Sequence, residues 1–221
     1  MLLRALVIDA LGESEEERVL EEGRKRFEEM AKQAEGSDAK PLLQTDLISP
    51  VYRMVAATEG ERGFEKLLAR FRASDFSEEQ RRCLVALGSA SEEQLLNRLL
   101  DFCLTDAVRS QDIVFGISAV SHNPKGRQLA WDFLRERWEI FDQKFGGGQF
   151  LISHIIGAVA SAFDSEEKAK EVEAFFETHP SPSAQRTIQQ SLERIRNNAA
   201  FLTREAAPIG AWLQERFGRG N

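Results

Sequence analysis

The sequence predicts an all-α fold, and three observations support this prediction. Apolar residues recur at helical spacing along the whole chain, and alternating runs of strand type are nearly absent. Ser-Glu-Glu-Gln occurs at residues 77–80 and again at 91–94, which indicates two short successive helices. The connections are short and rich in Gly, Ser and Pro, which favours antiparallel neighbours. Together they predict a superhelical array of antiparallel helix pairs, armadillo/HEAT-like, with about twelve helices.

The first four helices are predicted at residues 2–11, 14–34, 49–58 and 60–73. Ser14 with three following Glu fits a capping box, in which the hydroxyl accepts from an amide of the first turn. Pro50 lies near the start of the third helix, and Gly60 separates the third from the fourth. The longest connection, residues 36–47, contains Gly36 and Pro41 and is the only plausible internal linker.

The next four helices are predicted at residues 77–89, 91–103, 111–121 and 124–141. Ser77 and Ser91 each open a capping box, and Pro124 marks the start of the eighth helix. An aromatic and aliphatic stripe runs along that helix, and we expect it to lie in the core rather than to bind a ligand. Its residues are Trp131, Phe133, Leu134, Trp138 and Phe141.

The last four helices are predicted at residues 148–162, 165–177, 183–202 and 204–216. Pro180 and Pro182 form the corner between the tenth and eleventh of the twelve. Because each pair in such an array buries its apolar face only against its neighbours, twelve helices can share one continuous core. We therefore expect residues 1–221 to form a single domain.

Composition excludes several classes of protein. The formal net charge of −7 and the pI of about 5.2 argue against a nucleic-acid binder, which usually presents a basic face. No apolar run reaches the roughly 18 residues that a membrane span requires. Met1 to Leu11 carries Arg4 and Asp9 and lacks the small-residue cleavage site of a signal peptide. We expect a soluble cytoplasmic protein.

The side chains that usually carry catalysis form no recognisable site. Cys83 and Cys103 are expected to be buried thiols in a reducing compartment. His122 and His179 precede Asn-Pro and Pro and are expected at helix corners, whereas His154 is either an interior residue, which we favour, or part of a groove. No histidine has a partner at metal-ligand spacing, and Gly-x-Ser-x-Gly is absent. The carboxylates are expected on exposed helix faces, so no catalytic or metal-binding residue is predicted.

Several segments, in this order and spacing, resemble the C-terminal helical domain of zinc aminopeptidases of the puromycin-sensitive type. The most informative is the run from Phe175 to Gln190, Phe-Phe-Glu-Thr-His-Pro-Ser-Pro-Ser-Ala-Gln-Arg-Thr-Ile-Gln-Gln. The others are residues 2–7 with 24–27, Asp-Leu-Ile-Ser-Pro-Val-Tyr at 46–52, Ala-Trp-Asp-Phe at 130–133 with Trp138, and Gln-Phe-Leu-Ile-Ser at 149–153.

This resemblance implies a role inside a larger enzyme. In the family, a thermolysin-like domain with zinc removes the N-terminal residue of a peptide, and the C-terminal helical domain closes over it and shapes the peptide chamber. His-Glu-x-x-His and Gly-x-Met-Glu-Asn are both absent here. We therefore expect no catalysis and no cofactor in this chain, zinc in the missing catalytic domain, and two partners: that domain and the peptide substrate. The alternative is a free-standing helical-repeat scaffold that binds a protein partner through its concave face.

Four residues are candidates for peptide binding: Arg186, Tyr52, Arg53 and His154. Arg186 opens the helix after Pro182, where backbone amides and a guanidinium can together bind a peptide carboxylate. Alternatively, it pairs with a neighbouring acid and braces the corner. Tyr52 and Arg53 follow Pro50 at another predicted helix start, where the same argument holds. His154 stands where close relatives in the resembled family carry Arg after Leu-Ile-Ser.

Overall fold

The computed structural model describes residues 2–32, 43–147 and 150–218, and in these ranges it contains twelve α-helices, one 3₁₀ turn and no strand. The helices are α1 (Leu2–Glu13), α2 (Glu17–Lys32), α3 (Thr45–Thr58), α4 (Gly60–Ala73), α5 (Ser77–Leu87), α6 (Glu93–Cys103), α7 (Ile113–His122), α8 (Arg127–Glu136), α9 (Trp138–Phe145), α10 (Phe150–Ala160), α11 (Glu166–Thr178) and α12 (Gln185–Phe217). The 3₁₀ turn, Pro182–Ala184, directly precedes α12. The prediction of an all-α fold with about twelve packed helices is confirmed.

The chain divides into two compact units, Met1–Ala130 and Trp131–Asn221, with the boundary inside α8. In the first unit, each helix packs against the next or the next but one, as α2 against α3, α3 against α5, and α5 against α7. This is the contact pattern of stacked helical hairpins. The fully buried side chains of this unit include Leu67, Leu84, Leu96 and Leu99.

The second unit is built around an aromatic cluster. The Trp131 ring lies 5.4 Å from Phe175 and 6.3 Å from Phe163, and the Trp138 ring lies 5.5 Å from Phe176, all with nearly perpendicular planes. Such edge-to-face pairs add to the stability gained by burying the rings. The first half of α12 packs on α10 and α11 and closes this core. The stripe predicted in the core, Trp131 to Phe141, is buried as expected.

Two predicted helix boundaries are wrong in opposite directions. The helix predicted at residues 124–141 is two helices, because Arg137 adopts non-helical angles (φ −113°, ψ 21°). The break lets Trp138 reach Phe175 and Phe176 while the Arg137 guanidinium lies 4.3 Å from the Phe133 ring. Tertiary packing of the aromatic residues thus outweighs helix propensity there.

The helices predicted at residues 183–202 and 204–216 form the single helix α12. Thr203 does not break it, since its hydroxyl donates to the Ala199 carbonyl of the preceding turn at 2.9 Å. Pro208 also lies inside α12. The predicted and observed numbers of helices agree only because one predicted helix is two in the structure and two predicted helices are one.

The predicted helix starts also need correction. Neither Ser77 nor Ser91 caps a helix: Ser77 is already helical, and the Ser91 hydroxyl donates to the Ala57 carbonyl at 2.6 Å. The Ser14 hydroxyl donates back to the Leu11 carbonyl of α1. Ser165 does cap a helix, α11, since its hydroxyl accepts from the Lys168 amide at 3.3 Å. The hydrogen bond that each of these serine hydroxyls makes therefore depends on which backbone group the packing brings within reach.

Helix α3 begins at Thr45, four residues before the predicted start, so Pro50 lies inside it. Residues 36–42 of the predicted linker fall outside the described residues, and residues 45–47 are helical. Among the described residues, none of the helices combines the length and hydropathy that a membrane span needs.

Candidate functional site

Tyr52 anchors a buried polar network in the first unit. It lies on α3 with no exposed surface, and its hydroxyl donates to the Glu79 carboxylate on α5. Arg70 on α4 donates to the same carboxylate oxygen, and Arg82 lies 3.5 Å from the other one. The network joins three helices, and Tyr52 is not available to a peptide.

Burial and ion pairing act in opposite directions on this network. Burial tends to raise the pKa of the Glu79 carboxyl, but the hydrogen bonds from Tyr52 and Arg70 and the nearby guanidinium charges outweigh it, so the pKa lies below its usual value. Burial, together with the hydrogen bond to Glu79, raises the pKa of Tyr52 far above its usual value. At neutral pH the network is therefore a carboxylate held by a neutral phenol and two cations.

Arg53, the residue after Tyr52, points to the other side of α3 and lines an open cleft of about 450 Å³. The cleft also presents Arg81 and Arg82 from α5 and the ring of Phe115 from α7. Arg53 is not free, since its Nε donates to Asp9 at 2.8 Å. The Arg81 Nε is buried, lies 3.9 Å from Asp112, and makes no hydrogen bond within the described part of the chain. The charged side chains of this cleft thus already form ion pairs, and one buried guanidinium nitrogen lacks a hydrogen bond.

Arg186 and His154 lie in the second unit, where α10 meets α12. The Ser153 hydroxyl donates to the Ser183 carbonyl at 3.2 Å. The helices approach so closely that a Cβ on Gly157 would lie 3.1 Å from the Thr187 methyl group. His154 and Arg186 are each one residue from these contacts, and both side chains are exposed. The interior interpretation of His154 is therefore wrong.

Arg186 lies in the first turn of α12. The N-cap residue of this helix, Ala184, carries only a methyl group, so its side chain cannot accept a hydrogen bond from the free amides of that turn. Among the described residues Arg186 has neither an ion pair nor a hydrogen bond, so the bracing role weighed from sequence is not observed. A carboxylate at this position would face both a guanidinium and the positive end of the helix dipole. Arg186 and His154 are the two of the four candidates whose side chains are exposed.

A second cleft, of about 380 Å³, lies between α11 and α12. Phe176, Ile188 and Leu192 form its apolar part, and Glu173 and Glu177 line it as well. Ser181, between the two prolines of the corner, has a buried hydroxyl with no hydrogen-bond partner in the described chain. Sequence reasoning located the corner but not the cleft beside it.

Both cysteines are un-ionised at neutral pH. Burial raises the pKa of both Cys83 and Cys103 to about 12, so both are thiols there. No group of three or more His, Cys, Asp or Glu side chains able to hold a metal ion occurs in the described ranges. The histidines of the corners lie where expected: His122 ends α7, and His179 follows α11 and stacks on Phe175 at 4.3 Å.

Residues 1–197 match the family model described as the ERAP1-like C-terminal domain. The chain belongs to this family. It is similar to Aminopeptidase M1 of Arabidopsis thaliana, with 39% identity over 204 residues, which is 91% of this chain and 22% of the relative. Aminopeptidase M1-A of Oryza sativa subsp. japonica is 31% identical over 97% of this chain and 24% of its own length. Endoplasmic reticulum aminopeptidase 2 of Homo sapiens is 32% identical over 80% of this chain and 18% of its own length.

These comparisons confirm the resemblance to the C-terminal domain of M1 aminopeptidases. The domain spans about a fifth to a quarter of the length of these relatives. The matched region ends at residue 197, so the second half of α12 lies beyond it.

Two carboxylates, Glu79 and Asp112, contradict the expectation that acids lie on exposed faces, since Asp112 is only 4% exposed. Glu79 is only 9% exposed and organises the network around Tyr52. A signal for it was present, since Glu79 precedes Cys83 by four residues and therefore lies on the buried face of α5. The capping-box interpretation of residues 77–80 assigned this segment to the helix start and so concealed that periodicity.

Proposed function

We propose that this chain is the non-catalytic C-terminal domain of a zinc aminopeptidase, which closes over the catalytic domain and shapes the chamber for the peptide substrate. The supporting observation is the family match over residues 1–197 together with relatives that are four to five times longer. In this proposal the zinc belongs to the remainder of the protein, where it supplies the nucleophilic water. The reduced, buried state of both cysteines favours a cytosolic location.

The domain contributes charge to the chamber through Arg186. A peptide long enough to reach α12 would place its C-terminal carboxylate at the exposed guanidinium and the uncapped amides of the first turn. Arg53 and its cleft are a weaker candidate because Asp9 already neutralises that side chain. His154, exposed on α10, is proposed as a contact for the peptide body. Tyr52 acts only indirectly, by fixing α3 against α5.

The isolated chain is expected to release no amino acid from aminoacyl-naphthylamide substrates, with or without added zinc. Peptide hydrolysis of this type needs a metal-activated water, and the described residues offer no ligand set for the metal. The measurement is a fluorescence assay on purified chain, with a chelator-treated sample as the control. Zinc-dependent turnover that persists through several orthogonal purification steps would contradict the proposal. A His-Glu-x-x-His helix encoded upstream in the parent reading frame would support it directly.

Arg186→Ala in the full-length parent is expected to raise KM roughly fivefold for long peptides and to leave a single-residue chromogenic substrate unchanged. The change removes one charge-assisted hydrogen bond that only a long peptide can make. Arg194→Ala is the matched control, because Arg194 is also exposed on α12 but lies more than two turns from the helix start. Equal losses on both substrates would indicate structural damage, and an unchanged KM for long peptides would remove Arg186 from the substrate path.

A further inference from the structure

The cleft between α11 and α12 has an apolar floor, and it lies wholly within the second unit. Phe176 and Leu192 are only 7% and 8% exposed, and Ile188 is half-buried beside them. The volume of about 380 Å³ falls within the range of pockets that bind small ligands. A ligand in this cleft would cover the three apolar side chains and keep one side in contact with solvent.

The polar side chains of the cleft are largely without partners. The side chains of Glu177, Gln185 and Gln189 make neither an ion pair nor a hydrogen bond within the described part of the chain. Glu173 differs, because its carboxylate pairs with Arg196 at 2.8 Å. The cleft thus combines an apolar floor with one carboxylate and two amides that are free to bind a ligand.

Ser181 provides an independent indication of a ligand. It lines the cleft at the corner between the two helices and is only 4% exposed. Its hydroxyl does not cap the 3₁₀ turn that follows, and it has no hydrogen-bond partner in the described chain. A buried polar group without a partner is rare and lowers stability. Because rotation about χ1 redirects a serine hydroxyl, a ligand in the cleft can supply the partner that the described chain does not.

The charges of the cleft favour a cation. Glu173 and Glu177 line it, and no Lys, Arg or His is among the described residues that do. Glu177 lies in the last turn of α11, which carries no basic side chain, so its charge adds to the partial negative charge of the helix end. His179 follows the helix but stacks on Phe175 instead of lining the cleft. The unpaired carboxylate of Glu177 is therefore the place where a cation would bind.

The arrangement matches a basic side chain on an extended peptide. The methylene stem of Lys or Arg can cover an apolar floor while its charged head reaches a carboxylate. Gln185 and Gln189 lie one turn apart on α12, and each amide offers the donor and the acceptor that a peptide main chain requires. From Gln185 to Leu192 the helix rises about 10 Å, which is the length of roughly three extended residues.

We propose that the cleft between α11 and α12 binds a short extended peptide, separate from this protein, through a central Lys or Arg side chain. The stem of that side chain covers Phe176 and Ile188, and its charged head binds Glu177. The peptide main chain binds the amides of Gln185 and Gln189. This site goes beyond the proposed function, because it requires neither zinc nor Arg186.

Titration calorimetry of the full chain with acetyl-Ala-Leu-Lys-Leu-Ala-amide tests the proposal. Both ends of this probe are blocked, so neither a free amine nor a terminal carboxylate contributes to binding. We expect a Kd on the order of 100 μM. Replacing the lysine of the probe by norleucine removes the charge and keeps the stem, which is expected to raise the Kd about tenfold. No binding up to about 1 mM probe, or equal affinity for the two peptides, would overturn the proposal.

Glu177→Gln tests the position of the cation. It is expected to raise the Kd about tenfold for the lysine peptide and to change it little for the norleucine peptide, because both changes remove the same ion pair. Glu215→Gln is the matched control, since it makes the same change of charge at an exposed residue of α12 more than about 30 Å from Gln189. Equal losses for the two variants would show general attraction to an acidic chain and would contradict a specific site.

Ser181→Ala separates a binding role from a structural one. The hydroxyl has no partner in the described chain, so the variant is expected to keep or raise the midpoint of thermal unfolding and to raise the Kd about threefold. A lower midpoint with an unchanged Kd would show that the hydroxyl is structural and would remove Ser181 from the site.

Two further measurements identify the occupant. n-Butylammonium is expected to bind much more weakly than the probe, because it cannot use the amides of Gln185 and Gln189; equal affinity would assign the cleft to small organic cations instead. The full-length parent is expected to bind the probe with the same Kd as this chain. A parent that does not bind it would show that its own remainder covers the cleft, and the assignment to a separate peptide would then be wrong.

Discussion

Glu79→Ala is expected to lower the free energy of unfolding by about 3 kcal/mol. The change leaves the fully buried Tyr52 hydroxyl without its acceptor and removes the carboxylate that Arg70 binds. Three helices of the first unit, α3, α4 and α5, meet at this carboxylate. Denaturant unfolding followed by circular dichroism at neutral pH measures the loss.

Glu78→Ala is the matched control for this prediction. Glu78 is the preceding residue, pairs with Arg82 and is about half exposed, so its loss is expected to cost less than about 1 kcal/mol. Comparable losses for the two variants would show that the Glu79 network contributes no more than a surface ion pair.

The contribution of Glu79 also depends on pH with a definite sign. Its pKa in the folded protein lies below the usual value, so the unfolded chain takes up the proton first as the pH falls. The stabilisation is therefore complete above the unfolded carboxyl pKa of about 4.3 and is lost as the pH falls through the lower pKa of the folded state. The stability difference between the wild type and Glu79→Gln should shrink across that acidic window and stay constant from pH 6 to pH 8 (approximate bounds).

Trp131→Ala is expected to lower the free energy of unfolding by about 4 kcal/mol, the largest single effect in the second unit. Trp131 has no exposed surface and contacts the rings of Phe163, Phe175 and Phe176. Its removal leaves a cavity that three aromatic rings cannot fill without leaving their rotamers. Near-ultraviolet circular dichroism and denaturant unfolding are the measurements.

Trp131→Phe separates packing from hydrogen bonding at this position. The Trp131 Nε1 donates to Glu171 at 2.7 Å, and Arg135 and Lys168 bind the same carboxylate at 2.6 Å. Because Glu171 keeps two cationic partners, Trp131→Phe is expected to cost about 1–2 kcal/mol, well below the alanine variant. Equal costs for the two variants would assign the effect to the hydrogen bond rather than to the aromatic cluster.

For some residues the sequence alone predicted burial correctly, because a single local pattern determines it. The stripe from Trp131 to Phe141 repeats at helical spacing, and a helix with that stripe must bury it. Cys83 and Cys103 lie among apolar neighbours and are buried. The resemblance of residues 175–190 to aminopeptidase domains was likewise readable from order and spacing, and the family match covers them.

Other residues were misplaced because two rules competed. Ser77 and Gln80 fit a capping box, but Glu79 between them lies on the buried face of α5, where two donors bind its carboxylate and stabilise it more than a cap would stabilise the helix start. His154 lies in an apolar run, yet its position on α10 falls on the side that no neighbouring helix covers. Pro50 reads as a helix start, but α3 gains enough packing on α2 and α5 to continue through it.

The sequence by itself determined the helical class, the approximate number of helices, the buried aromatic stripe and the family, since all four depend on local periodicity and on the order of short segments. Only the tertiary structure decided which side chains are reachable. In the folded chain Tyr52 is buried and Arg53 forms an ion pair with Asp9. Arg186 and the apolar side chains in the second half of α12 are exposed. The physical reason is that exposure depends on contacts between residues far apart in the chain, which helical periodicity does not encode.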